Sequence, residues 1–240
     1  AAGEQGLVDF RDMLAADIIS FHTPLTRAGE HPTWHLANLA WLQQLSPRSV
    51  LINAARGPVI DNRALAHVLE KRSDLSVVLD VWESEPLPDA ALARQVDIAT
   101  PHIAGYSFDG KAKGTWQIYE QFCHYLNVTV EGSWRALVPA DHAVTLDLRT
   151  LTNTPVASAV VQRVYQILED DASLRATLGL PDDARARAFD HLRKDYRLRR
   201  EFSTVQLEHP EVLAHWSADE RLLLSALGFQ LTGDTACGLA

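Results

Sequence analysis

Four short runs rich in aliphatic and β-branched residues constrain this chain most. They are centred on Ile18, Ile19 and Phe21, on Ser49–Asn53, on SVVLDV from Ser76, and on VDIAT ending at Thr100. Runs of this length, apolar on both faces, read as strands buried between two layers. Stretches with helical spacing lie around and between them. The pattern predicts helices over Leu7–Ala16, over Trp34–Leu45 ended by Ser46-Pro47, and over Asn62–Lys71 with Asn62 as N-cap. A long helix is predicted from Gly110 to Asn127. Strands alternating with helices join by right-handed crossovers into a parallel sheet. The expected fold class is α/β: a partial doubly wound, Rossmann-type parallel sheet, followed by a small α+β domain.

Ligands of such sheets sit outside the carboxyl ends of the strands. Four polar features fall at those ends: His22-Thr23, Arg56, the span from Asp80 to Glu85, and His102. Neighbouring strands would bring them to one crevice.

Residues 128–148 hold Gly132 and Pro139 and little periodicity. Beyond Thr154 the pattern changes. PVASAVVQRVYQILED places Val156, Val160, Val164 and Ile167 on one helical face, and ARAFDHLRKDY reads as a charged helix. EFSTVQLEH alternates like a strand. SADERLLLSALGF carries a capping box, Ser217 with Glu220, and a stop at Gly228. The expected division is 1–127, a connecting segment 128–150, and 151–240.

The formal net charge is −9 and both halves are acidic, which argues against nucleic acid as a partner. No apolar run has the length of a membrane span. Cys123 and Cys237 lack metal-ligand spacing and read as free thiols of a reducing, cytoplasmic compartment. The Arg-rich run from Arg193 to Arg200 is interleaved with acids and reads as a solvated or interface face. His31 and His35 are four apart with Pro32 between them, so a surface pair is expected, and no metal. Glu83 is expected to face solvent, and the six tryptophans to pack cores.

The strand-end residues suggest a chemistry. A guanidinium offers a fork that matches a carboxylate. An imidazole exchanges a proton near neutrality, and a neighbouring carboxylate orients it. Together they suit oxidation of a 2-hydroxy acid. LINAARGPVID, LDVWESEP and TPHIAG resemble, in order and spacing, three motifs of the D-isomer-specific 2-hydroxyacid dehydrogenases. The resemblance implies catalytic Arg56, Glu85 and His102. It implies an NAD site lined by Thr23, Ala54, Ala55, Arg56, Asp80 and Gly105, and substrate contact by Tyr106.

HIAGYSFDGKAKGT and the tail FDHLRKDYRLRREF are similar to one branch of that family. It acts on a small phosphorylated 2-hydroxy acid and carries a C-terminal module that forms a homodimer. The family's G-x-G-x-x-G turn does not occur in this sequence, and Ala1 opens within a helical pattern. A piece of a longer enzyme, inactive alone, is therefore expected. A dehydrogenase for another 2-hydroxy acid such as phosphoglycerate, or a dinucleotide-sensing corepressor, are the alternative readings.

Overall fold

The computed structural model describes residues 8–138, 144–151 and 155–231. The chain divides into two units. One consists of residues up to Ala104 together with Ile167–Tyr196. The other consists of Gly105–Gln166 and the residues from Arg197 onward.

The first unit is built on a four-stranded parallel sheet in sequence order, β1 (Ile18–Phe21), β2 (Val50–Asn53), β3 (Ser76–Leu79) and β4 (Ile98–Ala99). The register pairs Phe21 with Asn53, Asn53 with Leu79, and Leu79 with Ala99, so the four carboxyl ends stand side by side. The crossovers carry α1 (Leu39–Leu42), α2 (Asn62–Leu69) and α3 (Ala90–Gln95). Ile19, Phe21, Leu51, Val77 and Leu79 are buried beneath them. The helix expected over Trp34–Leu45 shortens to α1 because Asn38 caps it, its side chain accepting from Trp41 N–H. The α2 cap is Asp61, which accepts from Ala64 N–H, so Asn62 is already helical. Near the start, a 3-10 turn over Asp12–Ala15 stands where a helix was expected.

The partition into 1–127, 128–150 and 151–240 does not match these units. PVASAVVQRVYQILED is two helices, α5 (Val156–Val164) and α6 (Ile167–Arg175), broken where Tyr165 turns extended. The first unit also takes α6 and α7 (Asp182–Lys194), and Leu174, Leu178 of the turn between them, and Phe189 join the core of the parallel sheet. The physical reason lies at an edge. β4 ends the sheet, and Asp171 of α6 accepts from Ala99 N–H at 2.7 Å. Arg175 pairs with Asp171 and donates to the carbonyls of Ala93 and Val96 at 2.7 and 2.8 Å. A paired edge of this kind removes a row of open backbone groups.

The second unit holds α4 (Phe108–Leu126), α5, α8 (Ala218–Ala226) and a parallel pair of short strands, β5 (Thr145–Asp147) and β6 (Gln206–Glu208). Its core gathers Leu148, Val160, Val205, Leu224 and Phe229. Val160 is completely buried there, so this part of the α5 face packs within the unit. Asp109, near the start of α4, is fully buried; both its oxygens accept from Arg200 Nε, and one also from Glu201 N–H and Thr204 Oγ1. The α8 capping box and the left-handed Gly228 stand as expected.

Candidate active site

At the end of β2, Asn53 is completely buried and shapes the turn beyond the strand. Its Oδ1 accepts from Ala55 N–H, and its Nδ2 donates to Arg56 O, both at 3.1 Å. The Ala54-Ala55-Arg56 turn is thereby fixed, with Arg56 exposed and one guanidinium nitrogen donating to Ala55 O at 2.7 Å. Gly57 lies against the loop after β3. A Cβ there would stand 2.0 Å from the carbonyl carbon and oxygen of Trp82 and 2.5 Å from Glu83 N. Only glycine permits the two loops to meet.

Asp80 ends β3 and is buried. Oδ1 accepts from Thr100 Oγ1 at 2.6 Å and Ile103 N–H at 2.8 Å, and Oδ2 from Ala104 N–H at 2.9 Å. Asp80 O accepts from His102 N–H at 2.7 Å. These bonds hold the chain after β4 in a bend where His102 has φ of 57°. A left-handed histidine is uncommon and costs backbone energy, which surrounding bonds must offset.

Within that bend, His102 Nδ1 faces Glu85 Oε2 at 2.7 Å, and Glu85 Oε1 accepts from Trp82 N–H at 2.8 Å. Both side chains are partly exposed, 27% and 21%. Trp82 Nε1 donates to Thr100 O at 3.0 Å, so the glutamate loop is anchored to the end of β4. A ring that carries its proton on Nδ1 toward a carboxylate keeps Nε2 as a base. Glu85 and His102 are thus brought together, and Arg56 stands on the turn whose next residue packs under the same loop.

Residues 2–104 match the model of the D-isomer specific 2-hydroxyacid dehydrogenase NAD binding domain. Residues 137–228 match a domain of unknown function, DUF3410. Curated relatives named erythronate-4-phosphate dehydrogenase are similar over most of this chain. The protein from Shewanella amazonensis is 42% identical over 218 residues, covering 91% of this chain and 55% of its own. That from Pseudomonas fluorescens is 48% identical over 192 residues, 80% and 50%. That from Cellvibrio japonicus is 43% identical over 231 residues, 93% and 59%. The chain spans about half the length of the curated relatives it matches.

Residues of this matched segment fit a dinucleotide in one respect that geometry can test. Thr23, just beyond β1, has a buried Oγ1 with no hydrogen-bond partner among the described residues. A buried hydroxyl left open is a place where a ligand group completes the bonding. Ala54 and Ala55 form the neighbouring turn. Asp80 differs: its carboxylate is turned inward onto its own chain. Gly105 and Tyr106 open the second unit. A Cβ at Gly105 would meet nothing within 4 Å, and Lys111 Nζ lies 4.0 Å above the Tyr106 ring.

Two expectations need correction. Glu83 does not simply face solvent: Oε1 meets His35 Nε2 at 2.6 Å and Oε2 accepts from Asn62 N–H at 3.0 Å. The surface pair expected of His31 and His35 is only half present: His31 is exposed, but His35 is partly buried and turns to Asp61 and Glu83. Among the described residues, ligand atoms of His35, Asp61 and Glu83 lie within 4.8 Å of one another, the one such group. Of the tryptophans, Trp41 and Trp82 are buried and Trp34 is 42% exposed. Cys123 is buried and outside any disulfide; Cys237 and Pro139 lie outside the described residues. No helix among the described residues is long and apolar enough to cross a membrane. The roles of Asn53, Gly57 and Asn62 were missed, and a buried polar residue closing an apolar strand was the available signal for Asn53.

Proposed function

We propose that this chain carries the proton-transfer machinery of an NAD-dependent dehydrogenase that oxidises 4-phosphoerythronate at C2 in pyridoxal phosphate biosynthesis. The Glu85–His102 contact of 2.7 Å, at the carboxyl ends of neighbouring strands, supports this most directly. Arg56 binds the substrate carboxylate and polarises the C2 oxygen. His102 Nε2 takes the hydroxyl proton, and Glu85 stabilises the imidazolium that results. Bound NAD would supply the hydride acceptor for C2. Thr23, Ala54, Ala55, Arg56 and Gly105 line its nicotinamide end, with Asp80 acting through the backbone that it holds. Tyr106 contacts the substrate. The names of the relatives favour 4-phosphoerythronate over other 2-hydroxy acids.

A homodimer formed by residues 151–240 belongs to the same proposal, supported by the tail's resemblance, not by the α5 face. Its place is the cytoplasm, in keeping with the free thiol of Cys123. The deciding assay compares 4-phosphoerythronate with 3-phosphoglycerate on the complete enzyme that contains these residues. Faster turnover of 4-phosphoerythronate is expected; equal or faster turnover of 3-phosphoglycerate overturns the substrate assignment.

A further inference from the structure

His35 stands between two carboxylates. Its Nε2 meets Glu83 Oε1 at 2.6 Å, and its Nδ1 lies 3.5 Å from Asp61 Oδ2. Glu83 Oε1 accepts from Nε2–H, and the Asp61 contact is too long for a good hydrogen bond. Trp34 stacks on the His35 ring with centroids 3.7 Å apart and holds its plane; Arg27 lies 5.2 Å from the Trp34 centroid.

Each partner is anchored by its other oxygen. Asp61 Oδ1 caps α2 through Ala64 N–H, and Glu83 Oε2 accepts from Asn62 N–H while Glu83 N–H donates back to Asn62 Oδ1. The backbone joins in, since His35 N–H donates to Pro58 O at 2.7 Å. The cluster therefore grips the turn after Arg56 and the loop that carries Glu85.

We propose that His35, held between Asp61 and Glu83, is a positioning residue that fixes the loop from Trp82 to Glu85 and so keeps the Glu85 carboxylate on His102. The proposal rests on the Glu85–His102 pair of the proposed function. The test is NMR of the 240-residue chain with 15N-labelled histidine rings, reading exchange of the His102 Nδ1 proton with water. In His35→Ala and in Glu83→Gln, exchange is expected to quicken about tenfold, the effect of weakening one hydrogen bond. Asp74→Asn, which breaks a surface ion pair with Arg72, is expected to leave it unchanged. Unchanged exchange in His35→Ala, or equal quickening in Asp74→Asn, overturns the proposal. Should His35→Ala lose the fold, Glu83→Gln gives the same reading, because its amide oxygen still accepts from Asn62. Absence of a slowly exchanging Nδ1 proton in the unmodified chain would instead remove the Glu85–His102 pair, and the proposed function with it.

Discussion

Gly57 has no room for a side chain, and the reason is another loop, not its own conformation. A methyl there would overlap the Trp82 carbonyl, and backbone on both sides resists movement. Gly57→Ala is expected to lower unfolding free energy by about 3 kcal/mol, as overpacking of a tight contact does. Urea titration measures it, and a loss under a third of that would mean the loops part easily. At the reacting groups the expectation concerns rate. In the complete enzyme, His102→Ala is expected to lower turnover of 4-phosphoerythronate by about 10²–10⁴-fold, the usual range for a lost general base. Arg56→Ala is expected to lose turnover as well while keeping the fold, since the side chain is exposed and, among the described residues, bonds its neighbour's carbonyl. Near-normal turnover in either would remove that residue from the reaction.

Two elements depend on single carboxylates. α6 closes the β4 edge through Asp171, so Asp171→Ala leaves Ala99 N–H without an acceptor and takes the carboxylate from Arg175. A cost of about 2 kcal/mol is expected, and slow amide exchange at Ala99 should be lost; retained protection would show the edge is held otherwise. In the second unit, burial alone would raise the Asp109 carboxyl, but Arg200, Glu201 N–H and Thr204 outweigh it and hold it below the usual carboxylate range. Since the folded value lies below the unfolded 3.8, the contribution is complete above that pH and fades as pH falls below it. Asp109→Asn is expected to destabilise this unit at neutral pH by about 3 kcal/mol, because Arg200 keeps its burial but loses its charge partner. The variant should also lose the part of the acid slope below pH 3.8, which denaturation at a series of pH values records; parallel slopes in variant and parent would refute it.

For the molecule as a whole, the loops that bear the proposed catalytic residues are present but the sequence has no G-x-G-x-x-G turn. Much dinucleotide affinity in such folds comes from a diphosphate resting on that turn at a helix N-terminus. The 240-residue chain is therefore expected to bind NADH weakly or not at all, even with Thr23 Oγ1 open to a ligand. Calorimetric titration decides this, and micromolar binding would mean that the site is complete within these residues. The α4 helix shows an exposed row of Ile118, Phe122 and Tyr125, spaced as one helical face. Deleting residues 151–240 would also strip α6 and α7 from the first core, so sedimentation of the intact complete enzyme, with cross-linking between cysteines introduced singly into residues 197–231, tests the proposed dimer; a monomer, or a dimer with no cross-link there, overturns it.

Local pattern alone was enough for much of this. Short apolar runs must be buried on both faces, so β1 to β4 and their parallel order were legible, as were the strand-end positions of Arg56, Asp80, Glu85 and His102. The α8 caps were legible too, because capping joins residues three or four apart. What the tertiary structure decided involves partners distant along the chain. Glu83 looked like a surface acid until His35, 48 residues away, was found against it. Asp80 looked like a ligand-facing group, yet it binds the backbone of residues more than twenty positions on. α6 and α7 read as part of a later domain, but their apolar faces fit the first core and Asp171 fits the open edge of β4. A helix pattern records which face is apolar and not which surface covers it, and that choice is made only when the whole chain packs.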